Sequence, residues 1–199
     1  MPQTMDSVLL IGTHSSRLSV LNQALNESGY EVIGRLEQAD DLVTMVSSLS
    51  PDILVIDLDK PDSSLLETLA LISKSSPLPV VMFVEQSTDN IVQQAIRSGV
   101  NAYIVADLQP QRVKTIIDIA VARFQEYQLL KDELVQARNR LEDRKLLDKA
   151  KGLLMSRQGI SEDQAYKKLR KMAMDKGETL AAVARNVIDV FNMLEENAS

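Results

Sequence analysis

Pro51-Asp52-Ile53-Leu54-Val55-Ile56-Asp57 is the stretch that decides the fold of the first half of the chain. Its aliphatic, mostly β-branched run is typical of a buried strand. Similar short apolar runs recur at near-regular spacing, at residues 8–11, 31–33, 80–84 and 102–105. Amphipathic helical patterns such as Leu18, Leu21 and Leu25 separate them. Strands alternating with helices imply βαβ crossovers, so we predict a flavodoxin-like α/β domain over residues 1–110, with its sites at the carboxyl ends of the strands.

The segment that ends in Asp57 and continues to Pro61 matches the one that carries the phosphoacceptor aspartate in response-regulator receiver domains, which this half of the chain resembles. The rest of that site does not match. The acidic pair, the hydroxyl residue and the lysine of a receiver are replaced by Gly12 with Thr13, by Val84 and by Ala106. Aspartyl phosphorylation needs carboxylates for Mg²⁺ and a cation on the transferring phosphoryl group. We therefore expect a pseudo-receiver in which Asp57 is a vestigial phosphoacceptor and which binds a partner protein instead.

The inventory of reactive residues argues against an enzyme. The 199 residues include no cysteine, which removes disulfides and thiolate metal sites from consideration. With a single histidine, His14, a zinc site or a histidine-based triad is hard to build. No apolar run approaches the roughly 18 residues of a membrane span, and the first residues do not resemble a signal peptide. We expect a cytoplasmic regulatory protein that needs no metal or cofactor.

The net charge of −6 hides an asymmetry between the two halves. Residues 1–110 carry 5 Lys/Arg and 14 Asp/Glu, whereas residues 111–199 carry 17 and 14. Within residues 138–185 the basic excess is larger, 13 against 7. This pattern is expected when only the second half binds a polyanion, although solvated helix faces would produce it as well.

Residues 111–143 are predicted to form a helical coiled-coil linker, because they contain neither proline nor glycine and show a heptad pattern. The a positions are Val113, Ala120, Tyr127, Leu134 and Leu141; the d positions are Ile116, Arg123, Leu130 and Ala137. Only Arg123 breaks the apolar pattern. The early turns near Ile117 must pack on the first domain, and the later turns, from Tyr127 to Leu141, are predicted to form a dimer seam.

Residues 144–199 are predicted to form a small module of three helices. Gly159 and Gly177 suit the left-handed positions after the first two helices. Ser161 with Gln164 three residues later is a capping box, which starts the second helix. Once the apolar residues are assigned to a shared core, two clusters of basic residues remain outside it, as expected of a nucleic-acid-binding unit.

Two blocks of this module, Ala150-Lys151-Gly152-Leu153-Leu154-Met155 and the segment from Ser161 to Ala173, closely resemble the ANTAR domain of the AmiR/NasT family of transcription antiterminators. The layout of pseudo-receiver, coiled coil and helical module also resembles that family. The resemblance implies a protein that binds RNA stem-loops in leader transcripts and prevents the terminator from forming. The coiled coil predicts that it does so as a homodimer. It further implies control by an inhibitory ligand-sensing protein rather than by phosphorylation. The Asp57 region looks closer to NasT than to AmiR, which points to nitrate or nitrite assimilation genes.

The candidate RNA-binding residues are basic, with one aromatic: Arg144, Lys145, Lys149, Lys151, Arg157, Tyr166, Lys167, Arg170 and Lys171. Lys151 is the sharpest of them, because the ANTAR pattern places a lysine in that block. RNA is favoured over duplex DNA, since no helix-turn-helix spacing is present. Two alternatives remain: a receiver-type regulator that binds duplex DNA, and a protein–protein adaptor whose helical tail binds a partner.

Overall fold

The structure is a computed structural model that describes residues 6–37, 41–105 and 109–196, with side chains as far as Met193. The strands are β1 (Ser7–Gly12), β2 (Glu31–Leu36), β3 (Ile53–Leu58), β4 (Val80–Val84) and β5 (Ala102–Val105). The helices are α1 (Ser15–Glu27), α2 (Leu42–Leu49), α3 (Ser63–Ser75), α4 (Asp89–Arg97), α5 (Pro110–Gln158), α6 (Glu162–Lys176) and α7 (Leu180–Glu196). They form two compact units, Met1–Gln128 and Leu129–Ser199.

The first unit contains a parallel sheet with the strand order β2-β1-β3-β4-β5. The order reverses at β1, between β2 and β3, which is the switch point of a flavodoxin-like fold. Gly12 at the end of β1 is in register with Asp57 in β3. The predicted fold class is confirmed, and all five predicted strands are present. Ala106 lies outside the described residues.

Helices cover both faces of this sheet, which explains why its central strands are apolar throughout. One face packs on α2, α3 and α4 through Leu9, Ile11, Leu42, Val46, Leu54, Ile56, Leu65, Leu69, Ile72, Met82 and Ala95. The other face packs on α1 and the start of α5 through Val8, Leu10, Leu21, Leu25, Ile53, Val55, Val81, Phe83, Val113, Ile117 and Ala120. The layers bring the loops at the carboxyl ends of the strands to one edge of the unit.

The first turns of α5 belong to the first unit. Val113, Ile117 and Ala120 are fully buried against the sheet. The Tyr30 hydroxyl donates to Asp118 Oδ1 over 2.7 Å, and burial together with this hydrogen bond raises the pKa of Tyr30. The early part of the predicted linker therefore packs on its own domain, as the sequence required.

The second unit is built from the last turns of α5 with α6 and α7. Its core is small and rich in alanine, which permits close helix crossings: Ala150, Leu154, Ala165, Leu169, Ala173, Val183, Ala184, Val187 and Ile188. Among the helices of the described segments, none is both long enough and apolar enough to cross a membrane.

Candidate nucleic-acid interface

The turn between α5 and α6 is fixed by local signals in the sequence. Gly159 has a φ of 65°, a left-handed conformation that costs glycine little. The Gln164 N–H donates to Ser161 Oγ over 3.3 Å, and the Ser161 N–H donates to Gln164 Oε1 over 3.0 Å. This capping box satisfies two backbone donors at the start of α6. It fixes where the basic residues of α6 begin relative to those of α5.

Eight of the nine candidate residues are exposed: Arg144, Lys145, Lys149, Arg157, Tyr166, Lys167, Arg170 and Lys171. The reason is helical periodicity, because the apolar residues at 150, 154, 165, 169 and 173 take the opposite positions in the core. The exposed side chain of Tyr166 lies one helical turn before Arg170 on α6. This arrangement leaves cationic groups and one aromatic ring accessible to a ligand.

Lys151 differs from the other candidates, because only 15% of its side chain is exposed. Its ammonium donates to Asp148 Oδ1 over 2.8 Å and to Glu162 Oε1 over 2.7 Å. These two hydrogen bonds raise the pKa of Lys151. Since Glu162 is the first residue of α6, Lys151 connects α5 to the start of α6. A phosphate could contact this ammonium only by displacing a carboxylate or by joining the pair.

The remaining candidates vary in how far their charge is already neutralised. Lys167 Nζ lies 2.6 Å from Asp163 Oδ2, and Arg144 Nε lies 4.0 Å from Asp148 Oδ2. Within the described ranges, Lys145, Lys149, Arg170 and Lys171 form no ion pair. These four are the cations most readily available to a polyanion.

The basic residues of α5 occupy more than one face of that helix. Lys149 is two positions from Lys151, which corresponds to a rotation of about 200° around the helix axis. Lys145 and Lys149, four residues apart, share the face that points away from Lys151. Gly152 lies on the same exposed side, and a Cβ atom built on it would meet nothing within 4 Å. That face therefore offers two cations beside a bare stretch of backbone.

The later turns of the predicted linker expose an apolar stripe, which we define as Tyr127, Leu130, Leu134 and Leu141. Their exposed fractions are 62%, 59%, 69% and 54%. Leu129 and Val135 are exposed nearby. Large apolar side chains are rarely left in water as a contiguous patch without an interaction partner.

The carboxyl edge of the sheet holds an ion pair that the sequence did not predict. Asp57 is fully buried, and its carboxylate accepts hydrogen bonds from Arg17: Nη2 lies 2.7 Å from Oδ1, and Nε lies 3.0 Å from Oδ2. Arg17 Nη1 also donates to Glu85, which follows β4. The hydrogen bond to Asp57 and both carboxylate charges raise the pKa of Arg17. The available sequence signal was the position of Arg17. It lies in the first turn of α1, and the strand before it, β1, lacks the acidic pair of a receiver.

His14 belongs to the same edge, although the sequence suggested no role for it. Its Nε2 lies 2.8 Å from Asp59 Oδ1, so the start of α1 is connected to the loop after β3. The N–H groups of Glu85 and Gln86 donate to the Asp59 carbonyl over 3.2 and 3.0 Å. Internal contacts therefore join the loops after β1, β3 and β4.

These features define a receiver-like domain followed by a helical module with exposed basic residues. The sequence model of the response regulator receiver domain matches residues 8–118, and that of the ANTAR domain matches residues 135–188. The transcriptional regulatory protein PdtaR of Mycobacterium tuberculosis is 31% identical over 171 residues, 86% of this chain and 83% of that protein. The chain belongs to the family of ANTAR-domain regulators that carry a receiver domain, the antiterminator family of AmiR and NasT.

Two further comparisons cover parts of the chain. The nitrate regulatory protein of Klebsiella oxytoca is 40% identical over 77 residues, which are 39% of this chain and 19% of that protein. The signal receiver domain of a modulated diguanylate cyclase from Desulfovibrio desulfuricans G20 superposes with a TM-score of 0.55 at 21% identity, over 62% of this chain and 98% of that one. The latter likeness concerns the fold of the first unit alone.

Proposed function

We propose that this protein is a transcription antiterminator that binds RNA stem-loops in a leader transcript and prevents the terminator hairpin from forming. The observation that carries the proposal is the set of exposed cations, without an ion pair in the described ranges, on a unit matched by the ANTAR domain. Lys145, Lys149, Arg170 and Lys171 would contact phosphates, and Tyr166 would stack on a base splayed from a loop. Folded stem-loops suit this surface because it offers one exposed aromatic residue rather than a platform of several.

The exposed apolar stripe supports the homodimer as the binding species. A second copy of α5 would cover Tyr127, Leu130, Leu134 and Leu141, whose a and d positions form one side of the helix. A parallel dimer would carry two basic modules. Two linked modules bind two linked stem-loops more tightly than either alone, because the second contact is intramolecular. The RNA held in this way would be unavailable to the terminator.

Control of the protein is proposed to come from an inhibitory ligand-sensing protein. Such a partner would bind the acidic first unit or cover the apolar stripe, and either contact could prevent the dimer from holding RNA. Nitrate or nitrite assimilation genes are the proposed targets, because the Klebsiella oxytoca relative is a nitrate regulatory protein.

The proposal is tested by filter binding of the full-length protein to a tandem stem-loop leader RNA and to a DNA duplex of the same sequence, at two salt concentrations. The decisive variant is Lys145→Gln/Lys149→Gln, which removes two exposed cations that form no described ion pair. Lys60→Gln/Lys74→Gln is the charge-matched control in the first unit, where both lysines are exposed. Lys151→Ala is measured in parallel.

Wild type should bind the RNA selectively, and the double variant should bind less tightly, with a salt slope smaller by about one for each phosphate that is no longer neutralised. The control should bind like wild type, because the change in net charge is the same but lies outside the module. Equal affinity for RNA and DNA would favour the DNA-binding alternative. Binding to neither nucleic acid would reject the proposal and favour the adaptor.

A further inference from the structure

Within the described segments, Asp57 is the charged residue whose side chain is fully buried. Its negative charge needs a partner in the interior. A carboxylate removed from water is costly unless a cation and hydrogen bonds compensate for the missing hydration. Arg17 provides both, because two of its nitrogens donate to the two oxygens of Asp57. A two-nitrogen fork of this kind is the strongest geometry available to an arginine–carboxylate pair.

The same guanidinium reaches a third element of the fold. Arg17 lies in α1, Asp57 in β3, and Glu85 directly after β4. One cation therefore pairs with two carboxylates, one from β3 and one that follows the neighbouring strand β4. Arginine stays protonated at any ordinary pH, so the contact is permanent in a way that a histidine contact would not be.

Gly12 shows that an acidic side chain does not fit at the end of β1. A Cβ atom at this position would lie 2.6 Å from Leu18 Cδ2 and 2.8 Å from the Asp57 carbonyl oxygen. The second of these atoms is backbone, so an aspartate could enter only if β1 or β3 moved. Mg²⁺ requires several oxygen ligands in tight octahedral geometry. The carboxylates at this edge are already paired, Asp57 and Glu85 with Arg17 and Asp59 with His14. Within the described residues, no group of three or more His, Cys, Asp or Glu side chains could hold a metal ion.

We propose that Arg17 is the resident cation of the receiver-like unit: it takes the place of the metal ion, holds Asp57 and Glu85 together, and closes Asp57 to phosphoryl donors. Asp57 is then not vestigial, because its buried charge holds Arg17, which connects α1 and β3 to Glu85 after β4. The unit keeps this edge in one arrangement without a metal ion or a phosphoryl group. A signal must therefore enter the protein through a different surface.

The first test exposes the full-length protein to acetyl phosphate with Mg²⁺, and to beryllofluoride with Mg²⁺ as a phosphoryl mimic. Intact-mass spectrometry detects a phosphoryl adduct, and thermal unfolding detects bound beryllofluoride. We expect neither an adduct nor a shift of Tm for wild type. An adduct or a shift that disappears in Asp57→Asn would overturn the proposal.

The second test is a double-mutant cycle on Tm, with Arg17→Ala, Asp57→Asn and Arg17→Ala/Asp57→Asn. Arg17→Ala leaves a buried carboxylate unpaired and should lower the Tm of the first unit by about 10 °C. Adding Asp57→Asn removes that charge and should restore part of the loss. Arg35→Ala, which removes an exposed arginine of β2 with no described ion pair, should change Tm little.

The cycle stays informative if Arg17→Ala does not fold, because the double variant carries no buried charge and should fold. Folding of the double variant without folding of Arg17→Ala would support the proposal. If the Tm losses of the two single variants simply add in the double variant, the proposal is rejected, because Arg17 would then not act through Asp57.

Discussion

Lys151 and Gly152 are neighbours in α5, but they have different surroundings. The Lys151 ammonium is held between Asp148 and Glu162, and its side chain is largely covered. Gly152 is exposed, and the space next to it is empty. A glycine inside an exposed helix costs stability, and no contact within the described part of the chain compensates for it here. The block therefore contains one residue that positions α6 and one that leaves open space beside the α5 backbone.

Gly152→Ala should stabilise the free protein and weaken its binding to RNA. Alanine favours a helix over glycine by about 1 kcal/mol, and its Cβ would enter open space in the free protein. If RNA approaches the α5 backbone beside Lys149, the added methyl group occupies that space. Urea unfolding measures the first effect, and the RNA filter-binding titration measures the second.

Gly177→Ala is the matched comparison for that prediction. Gly177 also has nothing within 4 Å of its Cβ position, but its φ of +64° is left-handed. Alanine is strained in this conformation, so Gly177→Ala should destabilise the protein by about 1 kcal/mol. If the free energy of unfolding rises in Gly152→Ala and falls in Gly177→Ala, backbone conformation decides the effect of a glycine replacement on stability. Unchanged RNA binding by Gly152→Ala would contradict close approach at that residue.

The long helix α5 has three kinds of surroundings along its 49 residues. Val113, Ile117 and Ala120 are buried in the first unit, and Ala150 and Leu154 are buried in the second. Between them, the turns that carry the apolar stripe have no partner in the described residues of this chain. An isolated helical segment of this length is marginal in water unless its apolar side is packed. A second copy of the helix would supply that packing.

Leu134→Asp should dissociate a dimer formed through α5 while leaving each unit folded. Leu134 is 69% exposed in the single chain, so the change costs the monomer little. Leu134 occupies heptad position a of the predicted seam. Its replacement should therefore weaken dimerisation by at least about 2 kcal/mol, which is a roughly 30-fold increase in the dissociation constant. Asn139→Asp adds the same charge on the opposite side of the helix and should leave the dimer intact. Sedimentation equilibrium decides between these outcomes, and a wild-type monomer at high concentration would reject the seam.

Local signals allowed the sequence to predict much of this fold. The strand β4, the capping box at Ser161 and the left-handed glycines at 159 and 177 depend on neighbouring residues, and the structure confirms them. The Arg17–Asp57 pair joins residues 40 positions apart, and the local signal, an arginine in the first turn of α1, does not identify which carboxylate it contacts. The carboxylates on Lys151 were missed for a similar reason. Exposure of a lysine follows from helical period, but its ion pairs depend on how two helices cross.

The two units have separate cores and opposite charge. The first compact unit carries 8 Lys/Arg and 16 Asp/Glu, and the second carries 14 and 12. None of the residues in the sheet cores belongs to the core of the helical module. A ligand that binds only one folded unit therefore raises the free energy of unfolding of that unit. Helix α5 contributes residues to both cores.

Calorimetry of the full-length protein should show two unfolding transitions, of which RNA raises one. The tandem stem-loop RNA would bind the folded second unit only, so its transition should move up by an amount that grows with the logarithm of RNA concentration. The transition of the first unit should stay in place, and Arg17→Ala should lower that transition alone. The two transitions can be assigned to the units, because RNA binding acts on the second core and Arg17→Ala acts on the first. If RNA shifts both transitions together, the two cores unfold as one cooperative unit, and the prediction of separate transitions is wrong.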